Sequence, residues 1–291
     1  MTRRDFLMSS AAAAAVGSLT RLRSAEAYSP EKLARIAVLS LNLDGIMKTP
    51  RHPNDPKRTL DFMDFPDMVA ERYGVHWVEP YHTHFLSTES DYFKEFLARV
   101  KKAKSRINQI SVGGLTLNMS APDPVQRLEA VDLTKRWIDH CVELECPRIQ
   151  VNQGSLAPEV RDEATKALKA MTDYGKSKKP VVHVTLETRG GPTTWQDLVA
   201  VIKAAGAWAN PDCGNFPNEE ERHAGLRVMY PMSSGSSHVH YAPERWSLPD
   251  VIAIQKEVGY KGLLAIEAGG RNVTDPYQPT QTILDALMKL I

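Results

Sequence analysis

The last third of the chain contains four short apolar segments that each end in a carboxylate or an imidazole: VVHVTLE (181–187), AWANPD (207–212), SSHVH (236–240) and GLLAIE (262–267). Their terminal residues follow one another at intervals of 25 to 28 residues and are Glu187, Asp212, His240 and Glu267. One strand, one helix and two loops occupy about that length. In a parallel barrel the carboxyl ends of all strands meet on one face, where active sites form. The spacing therefore predicts that these four side chains converge on one point.

The same alternation of short apolar runs and longer amphipathic stretches extends over the rest of the chain. The predicted strands are 35–41, 75–79, 109–117, 148–151, 181–187, 207–210, 237–241 and 262–267. Helical patterns lie between them at 91–105, 124–144, 159–176, 195–205, 248–258 and 278–290. Eight alternating units predict an α/β fold, a single-domain (β/α)8 TIM barrel over residues 28–291. An open doubly wound sheet is the alternative, but SLNLDG (40–45) lacks the glycine-rich turn typical of that fold.

The amino terminus has the features of a twin-arginine export signal. Arg3 and Arg4 precede an alanine-rich apolar stretch (9–19), and Ala25-Glu26-Ala27 resembles a signal-peptidase site. A transmembrane anchor or a helix of the fold are the alternatives, but the stretch is too short for a bilayer of about 30 Å. We therefore expect residues 1–27 to be a twin-arginine signal peptide. The mature chain would then be periplasmic, without a stable membrane span.

Composition narrows the classes of partner. The chain has 36 basic and 35 acidic residues and a net charge of +1, which argues against a nucleic-acid partner held by electrostatics.

Cys141, Cys146 and Cys213 form no Cys-x-x-Cys pair, so we expect buried thiols rather than a disulfide framework. The proline-rich segment 47–65 is either a lid over the site or a solvated excursion. A homo-oligomer is compatible with the sequence.

Three carboxylates at one point require a cation among them, because ionised carboxylates repel one another. Carboxylate oxygen together with imidazole nitrogen suits Mn²⁺, Co²⁺, Mg²⁺ or Zn²⁺ in a site that keeps positions open for substrate. A structural zinc site would favour thiolates, and Cys213 is the only cysteine near the four residues in sequence. The sequence therefore predicts one bound divalent metal ion.

The four segments also resemble the xylose-isomerase-like barrel superfamily, in its sugar phosphate isomerase/epimerase branch with ketose 3-epimerases and inosose dehydratases. The resemblance is carried by Glu187-Thr188-Arg189-Gly190, Asp212-Cys213-Gly214-Asn215, His238-Val239-His240 and Ile266-Glu267. It implies that Glu187, Asp212, His240 and Glu267 hold the metal. In that branch the second His of His-x-His is the ligand, which leaves His238 beside the metal. The two glutamates, Glu187 and Glu267, would be the general base and general acid.

These roles lead to an expected reaction. A metal bound to a ketone and its neighbouring hydroxyl acidifies the intervening C–H and stabilises the enediolate. A carboxylate on each face can then remove and return a proton. We therefore expect a sugar isomerase or epimerase acting on a keto-sugar or related polyol. One alternative is a lyase or dehydratase that eliminates from a 3-keto-glycoside or inosose through the same enediolate. The other is a non-catalytic periplasmic sugar-binding barrel.

Further polar residues near the predicted strand ends are candidate substrate contacts: Asn215, Arg245, His82, His84, Asn152 and His238. Each also has an ordinary structural interpretation, such as a turn cap for Asn215 or a surface position for Arg245. Two departures from the family pattern are Arg189, which replaces an Asn or His, and HYAPE (240–244), which lacks the motif His-x-Lys-Asp. Neither a phosphate-binding glycine loop nor a basic cluster is evident, so we expect a free sugar or glycoside rather than a phosphorylated one.

Overall fold

The computed structural model describes residues 28–52, 54–113, 117–189, 193–269 and 274–291, so the predicted signal segment lies outside the described residues. The strands are β1 Ile36–Leu39, β2 Trp77–Glu79, β3 Arg106–Ile107, β4 Ile110–Val112, β5 Arg148–Val151, β6 His183–Glu187, β7 Trp208–Asn210, β8 Ser236–Val239 and β9 Leu263–Ile266. The α-helices are α1 Pro30–Leu33, α2 Phe65–Tyr73, α3 Ser90–Lys102, α4 Pro124–Glu143, α5 Pro158–Lys176, α6 Trp195–Ala205, α7 Glu219–Met229, α8 Leu248–Glu257 and α9 Gln278–Leu290.

All strand pairs are parallel, in the orders β3-β2-β1-β9-β8 and β4-β5-β6-β7. The two sheets meet at two places. Strands β3 and β4 are two halves of one barrel strand, the first paired with β2 and the second with β5. On the other side, a parallel bridge between Asp212 and His238 joins the end of β7 to β8. The sheets thus form the predicted single (β/α)8 barrel.

The interruption between β3 and β4 falls on Asn108 and Gln109, and both side chains are buried. In a continuous strand, successive side chains point to opposite faces. Here the local break lets two consecutive side chains reach the barrel interior, where each donates a hydrogen bond to the same carboxylate, that of Glu79.

The strands are buried on both faces, as parallel strands covered by helices should be. β1, β4 and β8 are buried at every position.

Helix caps fix where the chain passes from a strand end into the following helix. Thr194 and Asp197 form a capping box at the start of α6, and Asn218 caps α7 by accepting a hydrogen bond from the Glu221 N–H. No described helix is long and apolar enough to cross a membrane.

The predicted strands are all present, with ends that differ by a few residues. The largest differences are at 109–117, where β4 ends at Val112, and at β3, which was not predicted. Helices α2 and α7 were not among the helical patterns identified in the sequence. All three cysteines are buried and free. Within the segment 47–65, Met47 and Leu60 form a parallel β-bridge. Most of the described residues between these two are exposed.

Candidate metal centre

Four strand-end side chains meet at the carboxyl end of the barrel. Glu187 ends β6, Asp212 follows β7, His238 lies in β8 and Glu267 follows β9. Each offers one ligand atom, and these atoms all lie within 4.8 Å of one another. Three of the four predicted ligands, Glu187, Asp212 and Glu267, are therefore brought together. The nitrogen in the group comes from His238 rather than from His240. We call Glu187, Asp212, His238 and Glu267 the metal group.

The donor atoms of the metal group fit a cation. His238 Nδ1 lies 2.8 Å from Glu187 Oε2 and 2.8 Å from Glu267 Oε2. Among the described residues, neither His238 Nδ1 nor Glu187 Oε2 has a hydrogen-bond partner in suitable geometry, although both atoms are buried. A buried polar atom without a partner costs free energy. A divalent cation satisfies both atoms at once, and the O,O,O,N donor set suits Mn²⁺, Co²⁺, Mg²⁺ or Zn²⁺.

A buried glutamate fixes the ring of His238 from behind. Glu79, the last residue of β2, has no exposed surface, and its Oε1 lies 2.8 Å from His238 Nε2. Asn108 Nδ2, Gln109 Nε2 and Ser111 Oγ also donate to the Glu79 carboxylate, at 2.8, 3.0 and 2.8 Å. In the neutral ring, donation from Nε2 to Glu79 leaves the Nδ1 lone pair directed toward Glu187 and Glu267, the arrangement in which a carboxylate orients a metal-binding histidine. This role of Glu79 was not predicted from the sequence.

His240 lies at the rim of the metal group. Its Nε2 is 3.2 Å from Asp212 Oδ2 and 3.7 Å from Glu267 Oε2, and the side chain is half-buried. Strand β8 ends at Val239, so His238 is still held by strand geometry whereas His240 begins the following loop. The resemblance favoured His240 as the ligand, but the donor geometry favours His238, with His240 beside it.

Metal analysis distinguishes the two histidines. We expect wild-type protein purified without chelator to carry about one divalent ion per chain. If His238 is the ligand, His238→Ala should lose at least tenfold in metal affinity, whereas His240→Ala should lose less. Elemental analysis and calorimetric titration with Mn²⁺ measure this difference. The opposite order would restore His240 as the ligand, and circular dichroism of both variants controls for unfolding.

The carboxylates of the metal group differ in proton affinity. Burial raises the pKa of Glu187, although the charge of Arg189, 2.7 Å from its Oε1, opposes this. Burial would also raise the pKa of Glu267, but its contact with His238 and the charges of His238 and His240 outweigh that effect and lower its pKa to about 2. In the metal-free site the two glutamates thus differ in their readiness to hold a proton.

The pKa values of His238 and His240 are shifted in the opposite direction from that of an isolated buried imidazole. Burial alone would lower the pKa of both residues. The charge of Glu79, with contacts to Glu187 and Glu267, raises the pKa of His238 well above its ordinary range. The charge and hydrogen bond of Asp212 raise the pKa of His240 to about 9. In the absence of a metal ion, imidazolium groups thus balance part of the negative charge of the carboxylates.

Asn215 holds the carboxylate of Asp212 in place. Its Nδ2 donates to Asp212 Oδ2 at 2.6 Å and to the Thr188 carbonyl at 3.0 Å. The Gly214 N–H donates to Asp212 Oδ1 at 2.7 Å, so both oxygens of this fully buried carboxylate are held. A Cβ at Gly214 would lie 2.7 Å from His240 Cδ2, so any larger residue there would displace the His240 ring.

The predicted substrate contacts His82 and His84 lie in different environments from each other. His84 is completely buried, with Nδ1 2.8 Å from Ser40 Oγ and Nε2 3.1 Å from Asp44 Oδ1. It thus orients Asp44, which lines a small cavity together with Glu267 and His240, and its own ring is not exposed to a substrate. His82 is half-buried and lies edge-on to Trp137, and burial lowers its pKa to about 4.

The remaining candidates lie around the metal group. Arg245 is exposed and lines a cavity of about 450 Å³ together with His240 and Glu267. Asn152 is half-buried after β5. Its neighbour Gln153, which the sequence analysis did not identify, donates from Nε2 to the Glu187 carbonyl at 2.9 Å. Gln153 lies just beyond a strand end, as Asp212 and Glu267 do, and that position was the available signal.

The chain is similar to known proteins in sequence and in structure. The sequence model of the family described as xylose isomerase-like TIM barrel matches residues 68–290. No curated protein matches the chain in sequence. Among solved structures, D-psicose 3-epimerase from Clostridium cellulolyticum with D-tagatose has 13% identity, covers 88% of this chain and 96% of its own, and superposes with a TM-score of 0.66. A xylose isomerase domain protein from Planctomyces limnophilus has 16% identity, coverages of 88% and 96%, and a TM-score of 0.64. A xylose isomerase-like TIM barrel protein from Mycobacterium smegmatis in complex with magnesium has 17% identity, coverages of 92% and 99%, and a TM-score of 0.61.

Proposed function

Because the chain belongs to the xylose isomerase-like TIM barrel family, we propose that it is a divalent-metal-dependent sugar isomerase or epimerase. Its reaction would be proton transfer at a carbon next to a carbonyl group. One observation carries this proposal: Glu187 and Glu267 reach the same point from different strand ends, each with an oxygen 2.8 Å from His238 Nδ1. Two carboxylates beside one cation site are what removal and return of a carbon-bound proton requires.

Each residue of the site has a chemical role in this proposal. Glu187, Asp212, His238 and Glu267 would hold the cation, which would polarise the carbonyl oxygen of the substrate. One of the two glutamates takes the proton from carbon and the other returns it. Arg189, 2.7 Å from Glu187 Oε1, limits the freedom of that carboxylate. Glu79 keeps the His238 ring in place, and Asn215 does the same for Asp212.

The structural neighbours support the sugar class of the substrate. They include D-psicose 3-epimerases with D-fructose and with D-tagatose, and a protein of the same barrel type with magnesium. At 13 to 17% identity these likenesses establish the fold alone. The extension to this chain therefore rests on its own carboxylate pair and on the metal group.

Isotope exchange tests the proposal. When metal-loaded protein is incubated in D₂O with D-fructose, D-psicose or D-tagatose, the sugar should incorporate deuterium at a carbon next to its carbonyl. Chelation should abolish this incorporation. Mass spectrometry and proton NMR measure it and identify the product sugar. If metal-loaded protein binds these and other keto-sugars, including glycosides, without any incorporation, the chain is a sugar-binding barrel and the enzymatic proposal is wrong.

Two rivals predict other results. A lyase would start with the same proton abstraction but release a substituent from the neighbouring carbon, so an eliminated product would appear in place of an epimer. A sugar-binding barrel needs no second carboxylate in the site. The inward position of both Glu187 and Glu267 therefore favours the enzyme.

Export is a separate proposal. We propose that residues 1–27 direct the chain to the periplasm through the twin-arginine pathway, on the basis of Arg3, Arg4 and the apolar stretch that follows. Fractionation of cells that produce the chain, compared with a variant carrying Lys at both arginine positions, tests this. Retention of that variant in the cytoplasm is expected, and equal export of both forms would contradict it.

A further inference from the structure

A cavity of about 570 Å³ adjoins the metal group on the side of α6 and α7. It shares Gly214, Asn215 and Arg245 with the 450 Å³ cavity that contains His240 and Glu267. The two cavities are therefore neighbours. They meet at Gly214 and Asn215, which also donate hydrogen bonds to the Asp212 carboxylate. A single hexose over the metal group does not need the larger space, whose volume falls in the range of roughly 300 to 1,000 Å³ that takes drug-sized ligands.

Aromatic rings line this larger cavity in a fixed arrangement. The half-buried Trp195 donates its indole N–H to Glu221 Oε2 at 2.6 Å, which fixes the plane of the ring. Phe216 is buried, and the guanidinium of the fully buried Arg222 lies 6.0 Å from its ring centre. Because the rings are already held, a ligand that stacks on them does not have to order them on binding.

Helix α7 is shaped to accommodate the two rings. A Cβ at Gly225 would lie 2.6 Å from Phe216 Cε1 and 3.0 Å from Trp195 Cγ. Any side chain at this position would therefore push both rings toward the cavity. The glycine lets the rings pack on the helix backbone and keeps the space above them open.

The polar groups of the cavity are distributed unevenly. Its cationic side chains, Arg189 and Arg245, lie at the end nearest the metal group. Away from that junction, the described wall presents Trp195 with neutral hydroxyl and amide groups such as Thr193 and Gln196, and with Glu221, whose Oε2 accepts from Trp195 and Gln196. Such a wall suits a neutral ring with hydroxyl groups and does not suit a phosphate.

We propose that the substrate is a sugar that carries a second, neutral ring, and that this ring lies in the larger cavity against Trp195. The second ring is either another sugar or an aromatic aglycone, since both present a flat face to an indole. This inference rests on the proposed function for the first ring, which would bind over the metal group. Arg245, at the junction, would lie beside the bond that joins the two rings.

Binding measurements test the second ring without requiring turnover. The ligands are D-glucose, cellobiose and phenyl β-D-glucoside, titrated calorimetrically into metal-loaded protein. We expect at least one of the two ring-bearing ligands to bind about tenfold or more tightly than D-glucose. Trp195→Ala should remove most of that advantage and Trp195→Phe should retain most of it. A gain confined to phenyl β-D-glucoside identifies an aromatic aglycone, and a gain for cellobiose identifies a second sugar.

The matched control is Trp77→Ala, which removes a half-buried tryptophan at the start of β2, where its ring contacts Arg106. This variant should not change the ratio of affinities. The inference is overturned if D-glucose binds as tightly as both other ligands, or if Trp195→Ala weakens all three equally. Deuterium exchange with a free keto-hexose separates the two proposals. Exchange without any preference for ring-bearing ligands would defeat this inference alone, whereas Trp195-dependent binding without exchange on any substrate would defeat the proposed function alone.

Discussion

Glu187→Gln should lower kcat for proton exchange by about a thousandfold, because an amide can neither remove a proton from carbon nor return one. The side chain is buried and nearly the same size as the original, so the fold should be retained. Loss of one carboxylate ligand should also weaken metal binding, and assays at saturating metal separate the two effects. The rate of deuterium incorporation at saturating substrate and saturating metal gives kcat, and its dependence on metal concentration reports the weaker metal binding.

Glu257→Gln is the matched control, since Glu257 is an exposed glutamate of α8 paired with Arg227 on the surface. Its kcat should stay within about twofold of wild type, because a surface ion pair contributes little. An active Glu187→Gln enzyme at saturating metal would remove Glu187 from the acid and base pair. The pair would then have to be built from Glu267 and another residue.

Glu79→Ala should destabilise the protein by about 3–5 kcal/mol, the cost of removing one partner of a buried charge pair. The substitution leaves Asn108, Gln109, Ser111 and His238 without the acceptor that they share. It should also lower metal affinity by about 10- to 100-fold, as loss of a group that orients a ligand typically does. Urea unfolding monitored by circular dichroism measures the first effect and calorimetric titration the second.

Glu163→Ala provides the comparison, because Glu163 is a partly exposed glutamate of α5 with surface partners Arg127 and Lys166. Its free energy of unfolding should change by less than about 1 kcal/mol. A Glu79→Ala protein as stable as Glu163→Ala would mean that the interior tolerates the unpaired donors. Unchanged metal affinity in Glu79→Ala would mean that Glu79 does not orient His238.

The barrel was predictable because most of its parallel strands are short, mainly apolar runs. A run such as 262–267, which contains Leu263–Ile266, could therefore be found without any knowledge of its neighbours. Strand β3 was not, since two residues carry no periodicity. Helix α7 was missed for a related reason: its first turn is Glu219-Glu220-Glu221, and the apolar face that packs on the barrel begins only later.

The site was predictable where chemistry and strand position coincide. Glu187, Asp212 and Glu267 are acidic residues at strand ends, and the structure joins them. The choice between His238 and His240 was different, because it depends on where β8 stops, and a strand end is uncertain by the one or two residues that matter here. Glu79 lies outside the four closely spaced segments, and its partners come from β8, at the far edge of its own sheet, and from the interrupted strand.

The two-residue interruption at Asn108 and Gln109 makes the chemistry at the top of the barrel sensitive to chain length in one wall. An insertion or deletion there would restore regular alternation and turn one of the two amides outward. Glu79 would lose a donor, and the His238 ring would gain freedom to rotate away from Glu187 and Glu267. Variation in the length of this wall is thus a route by which a barrel with this metal group could lose metal affinity while all four residues remain in the sequence.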